Sequence, residues 1–197
     1  MPNKVKNVGI LLFDDCEVLD FSGPFEVFNL ANEVAGRKLF NVFTISSHDQ
    51  IITKYGLRLV TDGSFAYAPD IDILVIPGGK GRKKEMHNDR LMYWLRSTTF
   101  QHILTVSTGV FILAQSRLMK GQKATTHQSF LDELDRSYPE VEVVRDVRFV
   151  DNGKIICTAG TSAGIEGSLY LVEQLHGQAL SEDIVKMMEY HLAYKFS

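Results

Sequence analysis

Apolar residues run almost unbroken from Val8 to Phe13, the pattern of a parallel strand covered on both faces. Ser22-Gly23-Pro24 follows, and then the apolar-rich stretch Phe25 to Ala31. Ser22 suits an N-cap and Pro24 a first helical turn, so the pattern predicts a helix over 24–34. Phe40 to Ser46 reads as a second strand, with a short hairpin at 51–53 and 57–59 around Tyr55-Gly56. Ile71 to Ile76 is another buried strand, ended by Pro77-Gly78-Gly79. A helix near 86–99 carries Met86, Leu91, Trp94 and Leu95 on one side. Ile103 to Val106 then forms a strand that passes through a very tight turn into a helix over 108–117.

The second half predicts a short strand at 123–125, a polar helix at 128–136, and strands at 141–144, 147–150 and 155–157. Asp151-Asn152-Gly153 joins the last two as a hairpin turn. Helices over 162–176 and 181–192 close the chain. Strand and helix alternate without repeat, low-complexity stretch or linker. This order predicts a three-layer α/β fold with a mostly parallel sheet, as one domain over 1–197.

The length of 197 residues fits one domain and suffices for a sizeable core, with 45% hydrophobic and 23% charged residues. Two cysteines exclude a disulfide scaffold and fit a reducing, cytoplasmic setting, with a single Cys16–Cys157 bridge left open. The first apolar run is too short for a signal peptide, and no run approaches the length of a membrane span. A net charge of −3 argues against direct nucleic-acid binding, which needs basic residues gathered on one face. The one basic run, Lys80-Gly81-Arg82-Lys83-Lys84, is followed at once by Glu85 and reads as a solvated loop, with an anion or partner site as the alternative.

Ligands of parallel α/β sheets bind beyond the carboxyl ends of the strands. Three strand exits carry chemistry: Asp20 after the first, Gly78-Gly79 at Pro77, and Thr105-Val106-Ser107-Thr108-Gly109 at the sharp strand-to-helix junction. The third has the shape of a nucleophile elbow with Ser107 at its apex. There the Thr108 N–H and a glycine amide from 78–79 can cradle a developing oxyanion. Thr105 stands where the usual elbow has glycine, and a serine at this place also serves simply to cap a helix.

These residues carry a resemblance. Leu19-Asp20-Phe21-Ser22-Gly23-Pro24-Phe25-Glu26-Val27-Phe28, Ile76-Pro77-Gly78-Gly79, Val106-Ser107-Thr108-Gly109 and Ala124-Thr125-Thr126-His127 resemble the PfpI/ThiJ superfamily of class I glutamine amidotransferase-like domains. The isonitrile hydratase branch, shared with the sensor-like domain of some AraC-type regulators, is the most similar. Together with Thr161 to Glu166, these motifs span nearly the whole chain. The resemblance implies a flavodoxin-like sandwich, usually a homodimer, with Asp20 at the branch's active-site aspartate and Thr108 at its threonine. Ser107 falls on the nucleophile, which in the family is cysteine. The genomic codon at 107 tells a natural serine from an introduced one.

A thiol at a helix N-terminus becomes reactive near neutral pH, whereas a serine hydroxyl needs a general base. His127 is the candidate base; its bland alternative is a backbone hydrogen bond at a strand exit. The protease-like branch has histidine directly after its cysteine, and Thr108 there argues against peptidase activity. Asp20, with no basic neighbour in sequence, is expected to handle protons. The other histidines form no close-spaced pair and the two cysteines lie far apart, so no metal site is expected. No phosphate-loop or dinucleotide motif is present, so no cofactor is expected either. Cys16, between Asp15 and Glu17, and Cys157, on an apolar strand end, are expected to be unreactive. Two functions stand open: a small-molecule hydratase or hydrolase using Asp20, Ser107, Thr108 and His127 with Gly78 and Gly79, or a catalytically silent ligand-binding domain. A homodimer is compatible with the apolar surplus of Phe25, Phe28 and Leu30 on the first helix.

Overall fold

The structure, a computed structural model, describes residues 4–191. The first half of the chain forms β1 (Lys6–Leu11), α1 (Val18–Val34), β2 (Phe40–Ser46), β3 (Gln50–Ile52), β4 (Arg58–Val60), β5 (Gly63–Ser64), β6 (Ile73–Ile76), α2 (Arg82–Glu85) and α3 (Asp89–Ser97). The second half forms β7 (His102–Val106), α4 (Val110–Gln115), β8 (Lys123–Ala124), α5 (Leu131–Ser137), β9 (Glu142–Val143), β10 (Phe149–Asp151), β11 (Ile155–Thr158), α6 (Ala163–His176) and α7 (Gln178–Met187).

The central sheet has seven strands in the order β10-β11-β7-β6-β1-β2-β5. Every neighbouring pair is parallel except the edge hairpin β10–β11. Ile73, Leu74, Val75 and Ile76 of β6 are wholly buried, because helices cover both faces of a parallel sheet. Helices α1, α6 and α7 pack on one another, and α4 packs against β7. This is the expected layered α/β fold with a mostly parallel sheet.

From β1 the chain moves outward to β2 and β5, then returns to the other side of β1 and proceeds through β6 and β7. Strand order therefore reverses between β1 and β6. A crevice opens at such a switch point, because connections leave the two strands in opposite directions. The exits of β1, β6 and β7 surround it.

Several element boundaries differ from those the pattern predicts. Helix α1 starts at Val18, with Ser22 and Pro24 inside it rather than at its start. Burial of Phe21, Val27 and Phe28 along this helix outweighs the local cost of an interior proline. Phe28 is fully buried with its ring 5.0 Å from that of Phe40, so it belongs to the core and not to an exposed apolar face. The helix predicted over 86–99 starts at Asp89, because Asn88 Oδ1 accepts the Leu91 N–H at 3.2 Å and caps it. Strands β8 and β9 pair with each other in a separate two-stranded sheet. The short edge strand β5 has too little apolar pattern to be read from sequence. The last residue of the helix predicted over 181–192 lies outside the described residues. Among the described residues, no helix is long and apolar enough to cross a membrane.

Candidate functional site

Asp20 sits in the first turn of α1 and is fully buried. Its Oδ2 accepts the Gly78 N–H at 3.0 Å, while Oδ1 has no hydrogen-bond partner. Burial pushes its carboxyl up from the ordinary 3.8 to about 7, and the nearby Glu17 adds to the rise. The Gly78 amide, the Thr161 hydroxyl and Lys54 oppose it, but desolvation dominates. Thr161 stands beside Asp20 without standard hydrogen-bonding geometry to Oδ1.

Gly78 is glycine for want of space. A Cβ there would lie 2.7 Å from Thr108 N, 2.7 Å from Thr108 Oγ1 and 2.8 Å from Asp20 Oδ2. The acid from the β1 exit and the threonine from the β7 exit therefore converge on the backbone of the β6 exit. Gly79 is held to glycine twice over, by a φ of +134° that L side chains rarely adopt and by Asp15 O, which a Cβ would approach to 2.3 Å.

Ser107 turns the chain from β7 into a short 3-10 turn over 107–109 and has a φ of +54°. That left-handed conformation is strained for a non-glycine residue and is held by two backbone contacts. Its N–H donates to Ala159 O at 2.9 Å, and its carbonyl accepts from Thr126 Oγ1 at 2.8 Å. The Ser107 side chain caps no helix. Its hydroxyl has no hydrogen-bond partner among the described residues.

A cavity of about 370 Å³ is lined by Ser107, Thr108, Gly79, His127, Arg82 and Thr161 together with Glu17, Lys54 and Tyr55. Asp20 lies behind this wall. Lys54 and Glu17 form an ion pair, so their charges largely cancel.

Two expectations need correction. The glycine amides are not free to form an oxyanion cradle: Gly78 N–H donates to Asp20, and Gly79 N–H to Thr108 Oγ1 at 3.0 Å. Of this turn's backbone donors, the Thr108 N–H belongs to a residue lining the cavity and has no acceptor among the described residues, whereas the Val110 N–H donates to Thr108 O. His127 lines the same cavity, yet its Nδ1 accepts the Ser129 N–H at 3.2 Å and so caps the following turn. Neutral imidazole with Nδ1 as acceptor carries its proton on Nε2, leaving Nε2 a donor rather than a base. No hydrogen bond joins His127 to Ser107.

The solvated-loop reading of the basic run is wrong for Arg82, for which an anion site was only the alternative. The side chain is buried to 3% exposure and lines the cavity. No local signal separates it from Lys83 and Lys84, because its burial comes from aromatic residues distant in sequence. Thr161 and the Glu17–Lys54 pair also went unread as parts of the site.

Both cysteines are free and buried. Burial pushes the Cys16 thiol up to about 11 and the Cys157 thiol up to about 12, with Asp20 and Asp14 adding slightly at Cys16. Neither can stand in for a nucleophile at neutral pH. Among the described residues, no group of three or more His, Cys, Asp or Glu side chains could hold a metal ion.

The DJ-1/PfpI family model matches residues 6–174. Isonitrile hydratase of Pseudomonas putida is 28% identical over 193 residues, covering 96% of this chain and 80% of that protein. The HTH-type transcriptional regulator GbdR of Pseudomonas aeruginosa is 25% identical over 187 residues, covering 94% of this chain and 51% of the regulator. The chain thus spans about half of that relative. Among solved structures, a THiJ/PfpI family protein from Pseudomonas syringae matches with a TM-score of 0.85 at 25% identity, over 98% of this chain and 78% of that one. An AraC family transcriptional regulator from Pseudomonas putida shares the fold, with a TM-score of 0.81 at 21% identity over 93% of this chain and 99% of that one.

Proposed function

Because the chain belongs to the DJ-1/PfpI family, whose model spans residues 6–174, we propose that it is a small-molecule hydratase resembling isonitrile hydratase. The observation that carries this reading is Asp20, a buried carboxyl raised to about 7 beside the turn that holds Ser107 and Thr108. A group poised near the working pH can both give and take a proton.

An isonitrile is protonated at its terminal carbon. Asp20 supplies that proton, relayed by the Thr161 hydroxyl, which stands beside it and lines the cavity. Water held by the Ser107 hydroxyl adds to the same carbon, and its released proton returns to Asp20. The resulting imidic acid moves its hydroxyl proton to nitrogen, giving the N-substituted formamide. Substrate and one water are consumed, and no covalent bond to Ser107 forms.

The second reading, a ligand-binding domain without turnover, is favoured by His127, whose Nδ1 is committed to a backbone amide and leaves Ser107 without a base. Turnover of isonitriles, small amides and aldehydes by the wild-type chain, Ser107→Cys and Asp20→Ala separates the two. Formamide production that Asp20→Ala abolishes supports the hydratase. Absence of product from wild type and Ser107→Cys alike refutes it. Ligand-induced stabilisation without product supports the silent domain.

The chain works as a homodimer with its ligand in this cavity and needs no cofactor. The exposed Leu19 and Phe25 of α1 supply apolar contact area for the second copy. Sedimentation at the monomer mass would refute the dimer.

A further inference from the structure

Arg82 has no part in the chemistry above, yet it is the cavity's one deeply buried cation among the described lining residues. Its guanidinium carbon lies 4.4 Å from the Phe111 ring centre and 4.9 Å from that of Phe130. Two aromatic rings therefore lie close against the group. One Nη donates to Glu133 Oε1 at 2.7 Å, while the buried Nε has no acceptor.

A guanidinium carries five N–H donors in one plane. Glu133 engages one Nη and is 42% exposed, so water screens its compensation of the buried charge. The carboxylate that lines the cavity, Glu17, is paired with Lys54. The wall thus holds positive charge and spare donors without a matching acceptor.

We propose that Arg82 is the anion anchor of this cleft, and that the natural ligand is a small molecule bearing a carboxylate whose other end faces Ser107. A planar two-oxygen carboxylate matches the in-plane fork of donors on the guanidinium. The proposal rests on the reading that the cleft admits a small molecule, and it is independent of turnover.

Thermal-shift and calorimetric titrations at constant ionic strength, with propionate and its neutral isostere propionamide, test it. Wild type binds propionate saturably and at least tenfold more tightly than propionamide, and Arg82→Met abolishes that preference. Glu133→Gln leaves the guanidinium without its competing carboxylate and tightens propionate binding severalfold. Equal binding of acid and amide by wild type overturns the proposal, as does a preference that survives Arg82→Met. Where Arg82→Met fails to fold, Glu133→Gln decides: tighter propionate binding supports the anchor, and unchanged or weaker binding overturns it. Inorganic phosphate binding as tightly as propionate overturns the carboxylate assignment. None of these readouts involves an isonitrile, so failure of the hydratase reading and failure of the anchor are seen separately.

Discussion

Replacing Asp20 by asparagine removes the charge while keeping an oxygen to accept the Gly78 N–H. In the folded protein burial raises the carboxyl from 3.8 to about 7. At 1.36 kcal/mol for each tenfold change in proton affinity, ionising Asp20 in place costs the fold about 4 kcal/mol. Below pH 3.8 both folded and unfolded chains hold the proton and no cost arises. Between 3.8 and about 7 the unfolded chain ionises while the folded one keeps its proton, so wild-type stability falls as pH rises. Above 7 the loss is complete. The part lost between pH 5 and pH 8 is about 2–3 kcal/mol. Asparagine has no such dependence, and the other titrating groups cancel between the two proteins. In a domain of this size, roughly 2–4 °C accompanies each kcal/mol. The Tm of Asp20→Asn minus that of wild type should therefore widen by about 5–10 °C from pH 5 to pH 8, read by calorimetry in matched buffers. A difference that stays constant across this range would refute the account of Asp20 as a carboxyl kept neutral by burial.

Two further outcomes follow from the same geometry. Gly78→Ala forces a methyl against Thr108 and Asp20 at 2.7–2.8 Å, and should destabilise the protein by about 1–3 kcal/mol in urea unfolding and abolish ligand binding. A variant with wild-type stability and binding would show that this junction is looser than described. With thiols raised to about 11 and about 12, Cys16 and Cys157 should resist Ellman's reagent at pH 8 in the folded protein and react once guanidinium unfolds it. A folded-state thiol reacting at the rate of free cysteine would contradict their burial.

The cleft's location was readable because strand exits in a parallel sheet share one end, so Asp20, Gly78 and Ser107 fall together in any fold of this class. The hairpin at Asp151-Asn152-Gly153 was equally local: Gly153 takes a φ of +78° and its N–H bonds to Asp151 Oδ1 at 2.6 Å. Helix starts were less legible, since Pro24 and Ser22 suit a first turn but lie inside α1, where packing prevails.

Residue types and order along the chain set the layered fold, the end of the sheet that carries the cleft, and a hydroxyl rather than a thiol at its apex. Those properties follow from periodicity and covalent identity, which need no knowledge of distant neighbours. Tertiary contact alone decided the proton affinity of Asp20, the engagement of both glycine amides and the placing of Arg82 against Phe111 and Phe130. Each depends on desolvation or on a partner far away in sequence, and such energies exist only once the chain has closed around the group.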